Sequence, residues 1–234
     1  MSGFNYANDV SVIDGEREVK VDFTFNSDDV SADELKAEGF TVNGSRASKT
    51  TVCKTRKYIF KQLPQTVEDF EGFSLDTEFG PVAATICAFA AADVDHYNMQ
   101  NIDSCPTCAI LDRLNGKCSF NNFDKQHLAS SVFNNLRAEG AKNCFFAGAT
   151  AENGYTPDLP LSFELYVGPY EIPAKVNPAT GINRPATLMV LLSFGGDDSE
   201  RYMDVYHSAD GNWYGWADQW KHMGASFKPA KVVW

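Results

Sequence analysis

The sequence predicts an α+β fold, with helices over about 64–136 packed on a C-terminal antiparallel β-meander over about 161–217. Three observations carry this prediction. Helix start and stop signals crowd the middle of the chain, period-two alternation dominates after Cys144, and turn-rich segments separate the later strands at hairpin spacing. Helices first and a meander afterwards place the helices together on one sheet face; a nuclear-transport-factor-2-like cone is one arrangement of that kind.

In chain order, Val19, Val21, Phe23 and Phe25 alternate with Lys20, Asp22 and Thr24, which predicts a half-buried strand. Ser31 and Glu34 have capping-box spacing for a short helix that Gly39 stops. A second strand is predicted over Lys57–Lys61. Thr66 with Asp69 opens the first of the main helices, and Gly80-Pro81 opens a second that runs to about Tyr97. Alanines on nearly every face make that second helix the expected centre of the core. Cys105 to Asn115 reads as a third helix closed by Gly116, and Phe123, Leu128, Val132, Phe133 and Leu136 predict a fourth with one buried face. Strands are then predicted over Leu161–Val167, Ala186–Phe194, Arg201–His207 and Trp213–Ala217, divided by Gly195-Gly196-Asp197-Asp198-Ser199 and by Ala209-Asp210-Gly211-Asn212.

A chain of 234 residues is within reach of one core, so the expected organisation is an N-terminal β-rich annex (1–62) followed by a main α+β unit (63–234). The formal charge of −11 argues against nucleic acid and anionic membrane surfaces as partners. One stretch runs the other way: Arg46, Lys49, Lys54, Arg56, Lys57 and Lys61 fall in a segment without acids, read as a solvated strand face or as a surface for an acidic partner. The first residues lack a basic, then apolar, leader pattern, and the most apolar run, Pro81 to Ala92, is too short to span a bilayer. A cytoplasmic location is expected, with all six cysteines as free thiols.

Cys105-Pro106-Thr107-Cys108 is the most specific chemical motif, because two thiolates three residues apart can grip one zinc ion or cycle as a redox pair. Cys118 and His127 extend it to a four-ligand set, Cys-x2-Cys-x9-Cys-x8-His. The competing reading is buried structural thiols, since Cys108 shares helical spacing with Leu111 and Leu114. No cofactor is expected, with zinc as the alternative. Asp204 and His207 are the acid and base candidates. Tyr202, Tyr206 and Trp216 are candidates for contacting a ligand or a partner, on an aromatic-rich stretch that suits either a pocket wall or sheet packing. No phosphate-cradling loop, nucleophile elbow, His-Glu-x-x-His or dinucleotide fingerprint occurs.

Phe146-Ala147-Gly148-Ala149-Thr150-Ala151-Glu152-Asn153-Gly154-Tyr155-Thr156-Pro157 and Ser193-Phe194-Gly195-Gly196-Asp197-Asp198-Ser199-Glu200-Arg201, with Leu63-Pro64 and Gly211-Asn212-Trp213, resemble an uncharacterised bacterial domain family over about 63–229. The resemblance implies a bacterial single-domain context and no catalytic residue. The expected function is a non-catalytic binding or protein-interaction module, with an unknown protein or small molecule as partner. The alternative is a small-molecule-binding protein or enzyme with a pocket between helices and sheet.

Overall fold

The computed structural model describes residues 3–25, 27, 30–118, 120–138, 140–176, 183–192, 201–217 and 220–224. A short helix α1 (Tyr6–Asp9) leads into β1 (Val10–Thr24), followed by α2 (Ala32–Ala37), β2 (Thr41–Asn43) and β3 (Arg46–Phe60). The helical stretch comprises α3 (Val67–Glu71), α4 (Gly80–Ala91), α5 (Pro106–Leu114), α6 (Asn122–His127) and α7 (Phe133–Ala138). β4 (Leu161–Ile172), the hairpin β5 (Lys175–Val176) and β6 (Asn183–Arg184), β7 (Thr187–Leu192), β8 (Arg201–His207), β9 (Trp213–Gly215) and α8 (Trp220–Met223) complete the chain. The fold is α+β, with a seven-stranded sheet in the order β1-β3-β4-β7-β8-β9 and β2 paired to β3; β5 and β6 form a separate two-stranded sheet. All pairings are antiparallel.

The N-terminal strands are far longer than alternation suggested. β1 starts at Val10, not Val19, and pairs with β3 along its whole length, from Val10 opposite Phe60 to Thr24 opposite Arg46. Ser11 to Glu18 is exposed on both faces, so no buried side imposes a period on its sequence. β3 also pairs with β4, which joins the N-terminal ribbon to the later strands in one sheet. Hydrogen-bonded ion pairs answer three of the six cations of the basic segment: Arg56 Nε reaches Asp14 Oδ1 at 2.6 Å, Arg46 Nη2 reaches Asp22 Oδ1 at 3.0 Å, and Lys54 Nζ reaches Glu78 Oε1 at 2.7 Å.

The sheet carries a core on each face. On one, Phe163 and Leu165 of β4, Val190 and Leu192 of β7, and Met203 and Val205 of β8 join the helices. α4 is the centre of this cluster, buried from Gly80 to Ala90, and it stops at Ala91. On the other face Tyr166, Met189 and Leu191 pack with Val21, Phe23, Leu35 and Phe40, so α2 and the ribbon cover it. Side-chain alternation on β4 and β7 sorts each residue to one core or the other.

Three helix starts follow their sequence signals. Ser31 with Glu34, Thr66 with Asp69, and Asn121 with Asp124 all form reciprocal capping boxes. The fourth predicted helix is interrupted by a π-helical turn over Leu128–Val132. Phe123, expected on its buried face, is 68% exposed. Five residues separate Phe123 from Leu128, which turns the two about 140° apart on an α-helix. In the Phe146–Pro157 segment Asn153 supplies the order: its Nδ2 donates to the Gly148 and Thr156 carbonyls at 2.7 and 3.0 Å, and its Oδ1 accepts from the Thr150 and Thr156 N–H groups at 3.0 and 3.1 Å. Gly154 follows at φ 64°, where a glycine is favoured. That motif is a turn scaffold. The Ser193–Glu200 part of the second motif, with Asp197 and Asp198, lies outside the described residues.

Candidate functional site

A pocket of about 930 Å³ opens where the turn after α5, the start of α6, the β5–β6 hairpin, β8 and the residues around α8 meet. Its apolar wall is made by Phe123, Tyr206 and Trp216, and its polar wall by Lys117, Arg184 and Lys221 with Asn121, Asn183 and Asp124. The size is that of a small-molecule site.

Each wall is fixed from below. Gly116, at φ 60°, turns the chain sharply after α5, and a Cβ there would lie 2.5 Å from Tyr214 Cγ and 2.8 Å from Tyr206 Oη. That close approach lets the Lys117 N–H donate to Tyr206 Oη at 3.1 Å, while the Tyr206 hydroxyl donates to the Asn115 carbonyl at 3.4 Å. Burial pushes the Tyr206 phenol up, against the Lys117 N–H bond that favours its ionised form. Trp216 stands edge-on to Tyr206, with ring centroids 6.0 Å apart, and its backbone N–H donates to the Asp204 carbonyl at 2.8 Å.

Two cations of the pocket are held by buried carboxylates. Asp124 uses one oxygen to close the α6 capping box, accepting from Asn121 N–H at 2.8 Å, and the other to accept from Lys221 Nζ at 2.8 Å. Arg184 Nη2 lies 3.4 Å from Asp204 Oδ2 and 3.1 Å from Thr187 Oγ1. Both pairs are well covered, with side-chain exposures of 12% and 7% for Lys221 and Asp124 and 11% and 8% for Arg184 and Asp204. Lys117 is exposed, and its ammonium makes no ion pair among the described residues. Lys221 Nζ also lies 5.0 Å from the centre of the exposed Phe123 ring, a cation–π contact.

The sequence-predicted residues are distributed unevenly about this pocket. Tyr206 and Trp216 line it. Tyr202 instead packs against the second core, so the three aromatics do not form one surface. Asp204 sits behind the pocket, buried against Arg184. His207, three residues on, projects from the opposite strand face, is exposed and packs on Trp213 with ring centroids 5.1 Å apart, so the structure does not bring the acid and base candidates together. Cys105 is the N-cap of α5, and Cys108 donates its thiol to the Ile102 carbonyl at 3.4 Å. The interaction between the two thiols lowers that of Cys105 and correspondingly raises that of Cys108. Cys118 is half-buried in the pocket wall and His127 stands edge-on to Trp220. Among the described residues no group of three His, Cys, Asp or Glu side chains is arranged to hold a metal ion.

Lys117, Phe123, Asp124, Arg184 and Lys221 carried no functional signal in the sequence. They come from segments far apart in the chain, and only the Asn121–Asp124 capping spacing was locally readable.

No helix among the described residues is long and apolar enough to cross a membrane. Neither a curated protein nor a solved structure matches the chain. A family model described as "Domain of unknown function (DUF6935)" matches residues 62–228, a span that includes every residue lining the pocket. The chain therefore belongs to the DUF6935 family, and its pocket is built wholly from the family's domain.

Proposed function

We propose that this domain is a non-catalytic binding module whose pocket takes a small organic molecule. The observation that carries the reading is a pocket of about 930 Å³ walled by Phe123, Tyr206 and Trp216, one of which, Phe123, is 68% exposed. A large exposed ring at the mouth of a hollow is surface that a ligand would remove from water. The separation of Asp204 from His207 supports binding in preference to acid–base catalysis. A nuclear-transport-factor-2-like cone belongs to the same proposal, supported by α3, α4, α5 and α7 gathered on one sheet face. So does binding without a cofactor, which one equivalent of zinc retained by chelator-free protein would overturn.

The test uses a neutral fluorescent probe, N-phenyl-1-naphthylamine. We expect saturable binding of one equivalent, lost in Trp216→Ala and weakened in Phe123→Ala, with both variants still folded by circular dichroism. Absence of saturable binding, or binding indifferent to both substitutions, sinks the reading. A protein partner is the second reading, favoured by Ile13 and Val52, which are 55% and 60% exposed on the ribbon. A partner cross-linked to the wild type and equally to Ile13→Asp and Val52→Asp would remove the ribbon from consideration.

A further inference from the structure

Among the described residues, two of the three cations in the pocket wall form ion pairs and one does not. Arg184 is matched by Asp204 and Lys221 by Asp124, each pair buried and within hydrogen-bond distance. Lys117 is the third cation of the wall, and no carboxylate among the described pocket residues answers it. The nearby Asp210 feels the Lys117 charge but forms no ion pair with it, its oxygens accepting from the Asn212 N–H and the Tyr214 hydroxyl at 3.0 Å each. Two positive and two negative charges are thus paired in place, and one exposed cation of the wall, Lys117, makes no ion pair among the described residues, on a protein whose formal charge is −11. The apolar wall adds the other half of the recognition: Phe123 and Trp216 offer ring faces, and the cation of Lys221 already rests over Phe123.

We infer that the ligand is an aromatic monoanion, an aryl or arylalkyl carboxylate or sulfonate, whose ring lies against Phe123 and Trp216 and whose charge is met by Lys117. This rests on the binding reading above. A neutral aromatic would leave Lys117 unanswered, which costs nothing while that side chain stays in water but forfeits a charge-assisted hydrogen bond. A dianion would bring a second negative charge to a site whose remaining cations are already matched, close to Asp124. The two buried pairs are preorganised and do not have to be broken.

The experiment is isothermal titration calorimetry of the full chain with three probes that share one ring system: 2-naphthoate, 2-naphthalenemethanol and 2-naphthyl phosphate, the last at pH 8, where it is a dianion. We expect naphthoate to bind about tenfold or more tightly than the alcohol, the lower end of what a hydrogen bond to a charged group contributes. Naphthoate is also expected to exceed the phosphate, and Lys117→Gln to bring naphthoate down to the alcohol's affinity while leaving the alcohol unchanged. Equal affinity for naphthoate and alcohol, or tighter phosphate binding, overturns the monoanion assignment and leaves the pocket reading standing. If none of the three binds, and the neutral fluorescent probe does not bind either, the pocket reading itself fails. Naphthoate selectivity that survives Lys117→Gln also overturns the inference, because the charge is then met elsewhere.

Discussion

At one end of the sheet, along β1 and β3, cations and carboxylates meet on the surface; at the other, beside β8 and the β5–β6 hairpin, they meet under cover. The Arg56–Asp14 pair of the ribbon has side chains 17% and 63% exposed, whereas Arg184 and Asp204 are 11% and 8% exposed. The same chemical types therefore have different work in the two places. On the ribbon, cross-strand acids of β1 pair with Arg46 and Arg56 of β3, so part of the segment that reads as a docking surface in the sequence is answered within the sheet. Around the pocket, buried carboxylates fix two cations in position and leave a third to face the hollow. Local charge density says little about function until the geometry shows which charges are already matched.

The comparison breaks first at Asp204. Replacing Asp204 by Ala leaves Arg184 covered and without that carboxylate, and we expect a loss of about 3–5 kcal/mol in urea unfolding; a loss below about 1 kcal/mol would mean the pair is effectively solvated. Gly116→Ala should come next, at about 3 kcal/mol, since it adds left-handed backbone strain to a collision with Tyr206 and Tyr214. Its unfolding midpoint should fall with an unchanged denaturant slope.

The two limbs of the pH profile sharpen the contrast. Burial pushes the Cys87 and Cys144 thiols and the Tyr58 phenol up, so these groups keep their protons in the folded state at pH values where the unfolded chain releases them. Stability from a raised group is whole below the unfolded pKa, about 8.5 for a thiol, and declines above it. Unfolding monitored at rising pH should show that decline, and Cys87→Ala should make it shallower. On the acid side, the hydrogen bond from Arg56 holds the Asp14 carboxyl below its usual range. Its contribution is present above the unfolded value, about 3.9, and is lost as pH falls through the lower folded value. The smallest effect belongs to that pair: Asp14→Ala should cost about 0.5–1 kcal/mol near neutral pH and less in high salt.

The difference between these regions also explains what could be read beforehand. β8 was legible to its ends because Met203 and Val205 face one core while Tyr202 lies against the other, and the Ser31 and Thr66 capping boxes were legible because each is a contract between residues three apart. The first half of β1 was not, because Ser11–Glu18 has no buried face to write a pattern. Phe123 was assigned to the core because a spacing of five was accepted as helical, and the turn at Leu128–Val132 lay unread within it. Of the pocket's lining, only Cys118, Tyr206 and Trp216 were singled out as site residues by the sequence, and Cys118 for a metal instead of a pocket. Its cations are brought together by a hairpin, a turn and a helix end, and pairings made through tertiary structure leave no trace in local spacing.

The π-helical turn has a consequence for how this chain can change. Its extra residue is accommodated by side chains, with Ser130 Oγ donating to the Gln126 carbonyl at 2.7 Å and Asn134 Nδ2 to the Ser130 carbonyl at 3.0 Å. Deleting that one residue would restore regular hydrogen bonding with α6 and α7 near their present phase, whereas a deletion within α6 or α7 would rotate one against the other by about 100°. Phe123 and Asp124 ride on α6, so only the second kind of change would swing away the ring and the carboxylate that anchors Lys221. The irregularity acts as slack in the helix: a lineage could smooth it by a single-residue deletion and keep both its core and the wall of its pocket.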